Sequence, residues 1–505
     1  MTSLRTFDDL LAVGRSDSEA IVASGAPPLT YDGLRALANQ TIAALNGFGI
    51  GRNDRVAIVL PNGPKMAAAF LAIGSGATAA PLNPAYRADE FEFYMSDLNA
   101  RALVAEAGSS SPALEAAKKL GIAVLTLTSE CARGAGAFSL SGAARGAAAR
   151  PGRAGAEDVA LILHTSGTTS RPKIVPLSQA NVTKSAENSA TSLAFTAADR
   201  GLNIMPLFHI HGLIAGLLAP LSRGGSVFCT PGFNALKFFA AMEESKPTWY
   251  TAVPTMHQAI LTRAGGNREV IARHPLRFIR SSSSSLPPQV IAELEAVFHA
   301  PVIEAYGMTE ASHQMASNPL DGARKPGSVG LAAGPEVAIM DAGGRLLRRG
   351  EIGEIVIRGE NVTAGYDNNP AANAEAFVNG WFLTGDQGVI DADGYVSLTG
   401  RLKEIINKGG EKISPREVDE ALMDHPAVLQ VVTFAMPHEK LGEDVAAAVV
   451  LREGASATEQ ELRAFVSQRI AAYKTPKKIL FLDEIPKGAT GKLQRIGLAQ
   501  KLGLG

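Results

Sequence analysis

Short apolar runs and helix-forming stretches alternate along the first part of this chain, and no other feature narrows its fold as much. RVAIVL (55–60) leads into KMAAAFLAIGSGA, and ALVAEA leads into ALEAAKKLG and then IAVLTL. TWYTAVP is followed by TMHQAILTRA, and LRFIRSS by PPQVIAELEAVF and PVIEAYG. Such alternation predicts an α/β protein with parallel or mixed sheets covered by helices. No fixed-period repeat accompanies it. The 505 residues suffice for about three to four domain-sized units.

The texture then changes. ARGAGAFSLSGAARGAAARPGRAGAE (132–157) is rich in Ala and Gly and predicts a surface connection between two lobes. From about Gly327, strands separated by DAGG and RRGEIG turns predict an antiparallel meander. After Gly400, SPREVDEALMDH reads as helix and VAAAVVL as strand, which predicts a small α+β unit over 402–505.

Bulk properties exclude several classes. Apolar residues make up 46% and charged residues 19%, as in a globular protein with a large core. A formal charge of −1 gives no footprint for nucleic acid or an anionic membrane. Cys131 and Cys229 make neither a disulfide framework nor a zinc spacing. The N-terminus has early acidic residues and no long apolar region, GLIAGLLAPL is too short to span a bilayer, and KLGLG is not the peroxisomal tripeptide. A cytoplasmic enzyme acting on small molecules is the expectation.

Four motifs carry possible chemistry. LHTSGTTSRPKIVPLS (163–178) packs small hydroxyls and Lys173 behind an apolar run, as a phosphate cradle would. It is not the nucleotide P-loop, since Gly167 is its only glycine and Lys173 is followed by Ile174. In EAYGMTEASHQ (304–314), Tyr306 offers a flat ring, Thr309 a hydroxyl and Glu310 a carboxylate able to hold magnesium. In GWFLTGDQG and GRLKEIINKGGEKISP, Asp386 and Arg401 are candidates for ribose hydroxyls. Lys492 sits in the Gly-rich PKGATGKLQR. Taken singly, each also reads as ordinary chemistry: a polar loop, a strand-end cap, a turn, a solvated lysine.

In this order and together, TSGTTSRPK, YGMTE, TGD, GRLKEIINKGG and GKLQR resemble the adenylate-forming superfamily of acyl-CoA synthetases, adenylation domains and luciferases. The resemblance runs from about LTYDGL (29–34) to GKLQR (491–495); Ser170 departs from it, standing where the family has glycine. It implies a large N-terminal domain over 1–400, built of two βα lobes with mixed sheets and an antiparallel β subdomain. A mobile α+β domain over 402–505 would follow a hinge at 401–403 that contains Lys403.

The implied chemistry joins an acid to the α-phosphate of ATP, releases pyrophosphate and passes the acyl group to coenzyme A. Thr165, Ser166, Gly167, Thr168, Thr169 and Lys173 would hold the β- and γ-phosphates, and Glu310 the Mg2+. Thr309 would lie near the α-phosphate, Tyr306 would stack on adenine beside Ser283, and Glu304 and Ala305 would belong to the same ATP site. Asp386 and Arg401 would fix the ribose, and Lys492 would bridge acid and α-phosphate. His209 falls at the family's active-site aromatic switch, and Gly409 and Gly410 would line the pantetheine tunnel.

Acid choice is suggested by FHIHGL and EAYGMTEASHQMASNPL, which resemble oxalyl-CoA synthetases. His209 and His211 are two apart, on one face if extended. His211, His313 and a serine of the 281–285 run, Ser284, would meet the second carboxylate of a short diacid, where hydrocarbon-activating relatives are apolar. A ligase for another acid (malonate, a medium-chain fatty acid or a coumarate) and a stand-alone enzyme that loads a carrier protein stay open on the sequence.

Overall fold

The computed structural model describes residues 4–143, 146–165, 172–486 and 493–505. Two large mixed sheets form the bulk of the chain. The first has seven strands, with a parallel centre of Ala123–Ser129, Ala102–Glu106, Arg55–Val59, Thr78–Pro81 and Val159–His164 and an antiparallel strand at each edge. The second has nine strands. Its centre, Val302–Met308, Phe278–Ser282, Trp249–Ala252, Arg200–Asn203, Ser226–Cys229 and Glu19–Val22, is also parallel. The helix Pro64–Gly74 packs on strands of both sheets and is buried at every position from Met66 to Gly74, which explains why KMAAAFLAIG is apolar all round.

The Ala/Gly-rich stretch departs from the expected surface connection. Phe138–Ser141 is an edge strand of the first sheet, with Phe138 buried. Gly136 is the reason it can dock: its φ is +83°, and a Cβ there would lie 2.2 Å from the Pro64 carbonyl oxygen.

An all-antiparallel five-stranded sheet follows, from Glu336–Met340 to Val396–Arg401. The C-terminal unit is a second five-stranded sheet, from Ile406–Lys408 to Lys478–Phe481, with the helices Pro415–Met423 and Glu459–Ser467. Among the described residues, no helix is long and apolar enough to cross a membrane. GLIAGLLAPL lies within a fully buried π-helix, His211–Leu218, and the turn after it.

Candidate active site

The strands Phe278–Ser282 and Val302–Met308 run parallel, with Ser281 opposite Glu304 and Ser282 opposite Ala305. Their carboxyl ends therefore open side by side, where α/β sheets bind ligands. The chain turns tightly through Thr309–Ala311 and returns as the antiparallel strand His313–Ser317. Only glycine fits at Gly307 beside that return, since a Cβ would sit 1.8 Å from the His313 carbonyl oxygen. A cavity of about 690 Å³ lies over these ends.

At one end of the cavity, Tyr306, Asp386 and Arg401 form a cluster. The Tyr306 hydroxyl donates to Asp386 Oδ2, and Arg401 Nε donates to Asp386 Oδ1 at 3.1 Å. Asp386 and Arg401 are directly opposite in their antiparallel ladder, so the meander itself sets this pair. Burial, with the Asp386 charge added, raises the Tyr306 phenol well above its usual range. Asp386 in turn raises the Arg401 guanidinium. Ala305 and Glu304 line the same cavity. Burial pushes the Glu304 carboxyl up to about 7; Leu286 N–H donates to its Oε1, and among the described residues its Oε2 has no partner.

Thr165 and Lys173 clasp the two ends of the hydroxyl-rich loop. Thr165 N–H donates to the Lys173 carbonyl at 2.9 Å, and Lys173 N–H to Thr165 Oγ1 at 3.1 Å. Ser166, Gly167, Thr168 and Thr169 lie outside the described residues. Lys173 Nζ stands 4.3 Å above the ring of Tyr366, whose hydroxyl donates to Glu310 Oε1 at 3.0 Å. Thr309 and Glu310 also line the cavity, and burial raises the Glu310 carboxyl.

This arrangement fits a magnesium ion brought in by a nucleotide. Glu310 offers a hard oxygen donor at the cavity wall, and the described residues include no group of three or more His, Cys, Asp or Glu that would hold a metal unaided. Tyr366→Phe is expected to raise the apparent KM for MgATP about tenfold, because it removes a hydrogen bond to a charged carboxylate worth about 1.5 kcal/mol. Steady-state kinetics at fixed free Mg2+ would check this, and an unchanged KM would show that the Tyr366 contact is not used.

Another part of the cavity wall carries polar groups that are themselves backed by buried polar groups. His209 lines the cavity, and its Nδ1 accepts the His211 N–H at 3.3 Å. The extended reading of FHIHGL does not hold, because Ile210 is helical and His211 begins the π-helix. Residues two apart on a helix point in different directions. His211 accordingly has no exposed surface and stands behind Ser283, with its Nδ1 3.0 Å from Ser283 Oγ and its Nε2 2.6 Å from Thr251 Oγ1. Ser283, Ser284 and His313 do line the cavity. The His211 and His313 rings stack at 5.0 Å. Ser283, Ser312 and His313 have φ of 76°, 49° and 93°, left-handed values that side-chain-bearing residues adopt at a cost.

Behind this wall is a residue that the sequence reading missed. Arg280 is wholly buried, and its guanidinium donates to His313 Nε2 at 3.0 Å and to Gln314 Oε1 at 3.1 Å. It also approaches His211 Nε2 at 3.3 Å. A charged residue inside LRFIRSS was the available signal.

The C-terminal unit closes the cavity. Arg416 donates to the carbonyls of Leu398 at 2.9 Å and Gly327 at 3.3 Å, and Gln258 Nε2 donates to the Leu429 carbonyl at 3.1 Å. Lys403 lines the cavity. Lys492 lies outside the described residues, but Leu493 and Arg495 just after it line the cavity. Gly409 and Gly410 do not line it; they form a hairpin turn between Ile406–Lys408 and Glu411–Ile413, with φ of 61° and 99°.

The chain is similar to known proteins over nearly all its length. AMP-binding enzyme matches residues 11–367, and AMP-binding enzyme C-terminal domain matches residues 417–492. An oxalate–CoA ligase of Arabidopsis thaliana is 46% identical, covering 96% of this chain and 95% of its own. An oxalate–CoA ligase of Saccharomyces cerevisiae is 42% identical, covering 89% and 87%. The crystal structure of ATP-bound MatB from Rhodopseudomonas palustris superposes with a TM-score of 0.88 at 30% identity, covering 98% of this chain and 99% of that one. With Thr165, Lys173, Glu310 and a Tyr–Asp–Arg cluster on the wall of one cavity and family matches over nearly its whole length, the chain belongs to the AMP-binding enzyme family.

Proposed function

We propose that this protein is an ATP-dependent oxalate–CoA ligase. Oxalate would attack the α-phosphorus of ATP, forming an acyl-adenylate and releasing pyrophosphate. The thiolate of coenzyme A would then attack the acyl carbon, and AMP would leave. The observation that carries the choice of acid is the acyl end of the cavity. It is walled by His313, Ser283 and Ser284 and backed by His211 and Arg280, where a hydrocarbon tail would require apolar side chains. A second carboxylate buried there costs several kcal/mol unless donors meet it. The likeness to two oxalate–CoA ligases supports the same choice.

In this reading Thr165, Lys173 and the loop between them neutralise the β- and γ-phosphates, while Thr309 lies by the α-phosphate. Asp386 and Arg401 fix the ribose, and Tyr306 stacks on adenine. Glu310 would hold the Mg2+ that accompanies the nucleotide, and the ion would supply charge neutralisation for the leaving pyrophosphate. His209 is the switch at the cavity wall. Gly409 and Gly410 reach the pantetheine arm only after the unit from about residue 402 has rotated about Lys403. A cytoplasmic setting, where ATP and coenzyme A are available, completes the proposal.

Pyrophosphate release with oxalate, malonate, hexanoate and coumarate, with and without coenzyme A, tests the reading. Preference for hexanoate or coumarate would overturn the oxalate assignment. Release undiminished without coenzyme A, together with transfer to a carrier protein, would overturn the ligase assignment. The rotation has its own test. Lys403→Pro fixes φ at the hinge, so adenylate is expected to form while thioester formation falls at least about a hundredfold. A wild-type rate of thioester formation would move the hinge elsewhere.

A further inference from the structure

Arg280 occupies the middle of the strand Phe278–Ser282 and has no exposed surface. Among the described residues no carboxylate pairs with its guanidinium, and its Nε has no hydrogen-bond partner. A desolvated cation without a counter-ion is expensive to maintain. Its neighbours are all uncharged hydrogen-bonding groups. Nη1 faces His211 Nε2 at 3.3 Å and Thr251 Oγ1 at 3.5 Å, and Nη2 faces His313 Nε2 and Gln314 Oε1.

A guanidinium has donors and no acceptor. His313 Nε2 therefore presents its lone pair to it, and the same orientation at His211, whose Nε2 also lies 2.6 Å from the Thr251 hydroxyl as a second donor, places that ring's proton on Nδ1. For His211 that proton faces Ser283 Oγ at 3.0 Å. Ser283 accepts it, and its own hydroxyl hydrogen is left for the cavity that Ser283 lines. The contacts thus run from a buried positive charge, through two imidazoles, to two residues on the acyl wall.

We propose that Arg280 is the fixed positive charge of the acyl pocket: a positioning residue that holds His211 and His313 in one tautomer, turns Ser283 into a donor and selects acids with a second negative charge. The inference rests on the short-diacid reading above. It removes the need for a protonated histidine, because the positive charge that acts on the second carboxylate, through the imidazoles in front of it, belongs to the arginine. Burial pulls the Arg280 guanidinium down to about 9, which still leaves it charged at neutral pH before any acid binds.

The test uses the full-length enzyme, with pyrophosphate release measured for oxalate, malonate, glycolate and acetate. Arg280→Met is expected to raise KM for the preferred dianion about a hundredfold, with kcat changed far less and glycolate affected far less. Arg280→Lys retains the charge but not the planar fork, and is expected to recover about tenfold of that loss. Arg280→Met also leaves His313 Nε2 and Gln314 Oε1 without their donor, so a lower melting temperature is expected in either case, and the split between dianion and monoacid KM is the deciding readout. Equal loss for dianions and monoacids, or a lower melting temperature with KM unchanged, would show that Arg280 only supports the fold. Should Arg280→Met fail to fold, Arg280→Lys decides alone, and an unchanged KM for the dianion overturns the inference. A wild-type enzyme that prefers a monoacid to every dianion overturns both this inference and the oxalate reading. One that prefers malonate overturns the oxalate reading only, and the variants are then read on malonate.

Discussion

Lys492→Ala is expected to abolish adenylate formation, by about a thousandfold or more, while thioester formation from supplied acyl-adenylate stays largely intact. The first step drives a carboxylate onto a phosphate. Two unit charges 4 Å apart repel by about 4 kcal/mol at a surface-like dielectric, roughly a thousandfold in rate. A lysine between them removes that barrier, provided it is in place before the bond forms. Leu493 and Arg495 line the cavity, so the segment that follows Lys492 reaches the reacting end. Arg495 is held by Asp419 at 2.6 Å and Glu404 at 3.3 Å, which fixes the tail to its own unit. In the proposed role the lysine has no further part once the adenylate exists. ATP–pyrophosphate exchange reads the first step and thiol consumption with added adenylate the second; equal loss in both would contradict the role.

His313→Ala and His211→Ala are each expected to lower kcat/KM for oxalate by at least about a hundredfold, with little change in KM for ATP. Removing one partner of a buried charged hydrogen-bond set costs about 2–5 kcal/mol. The two act by different routes. His313 lines the cavity, so its loss removes a wall group directly. His211 is buried, so its loss acts through Ser283, whose Oγ it orients from 3.0 Å. Short aliphatic acids should gain relative to oxalate in both variants, since the pocket becomes larger and less polar. Measuring oxalate beside propionate separates this from general damage, and a parallel fall for both acids would refute it.

Much of this arrangement is legible in the sequence, because it is local. The βα alternation and the meander after Gly327 each depend on neighbours within a few residues. What stayed hidden is set by distant partners. The strand Glu19–Val22 joins the nine-stranded sheet by pairing with Ser226–Cys229, and nothing in EAIV announces that partner. Arg280 was passed over within LRFIRSS, because its meaning lies in His211 and His313, which other elements bring to it. Tyr366 joins the site only because its loop folds back over Glu310 and Lys173. The pair His209 and His211 was visible, but their directions depend on a π-helix that periodicity does not encode.

The left-handed backbone at Ser283, Ser312 and His313 bears on how this enzyme can change. Each such residue carries a cost of order 1 kcal/mol or more that glycine would not carry. Glycine at Ser283 or His313, which line the cavity, would relax the chain but erase the hydroxyl or imidazole of the proposed acyl wall. Greater heat resistance gained by relaxing Ser283 or His313 would come at the expense of acid choice, because robustness and discrimination draw on the same two residues. A lineage that broadened its acid range could drift toward relaxed backbone at this wall, whereas one held to a small dianion is confined to the strained form.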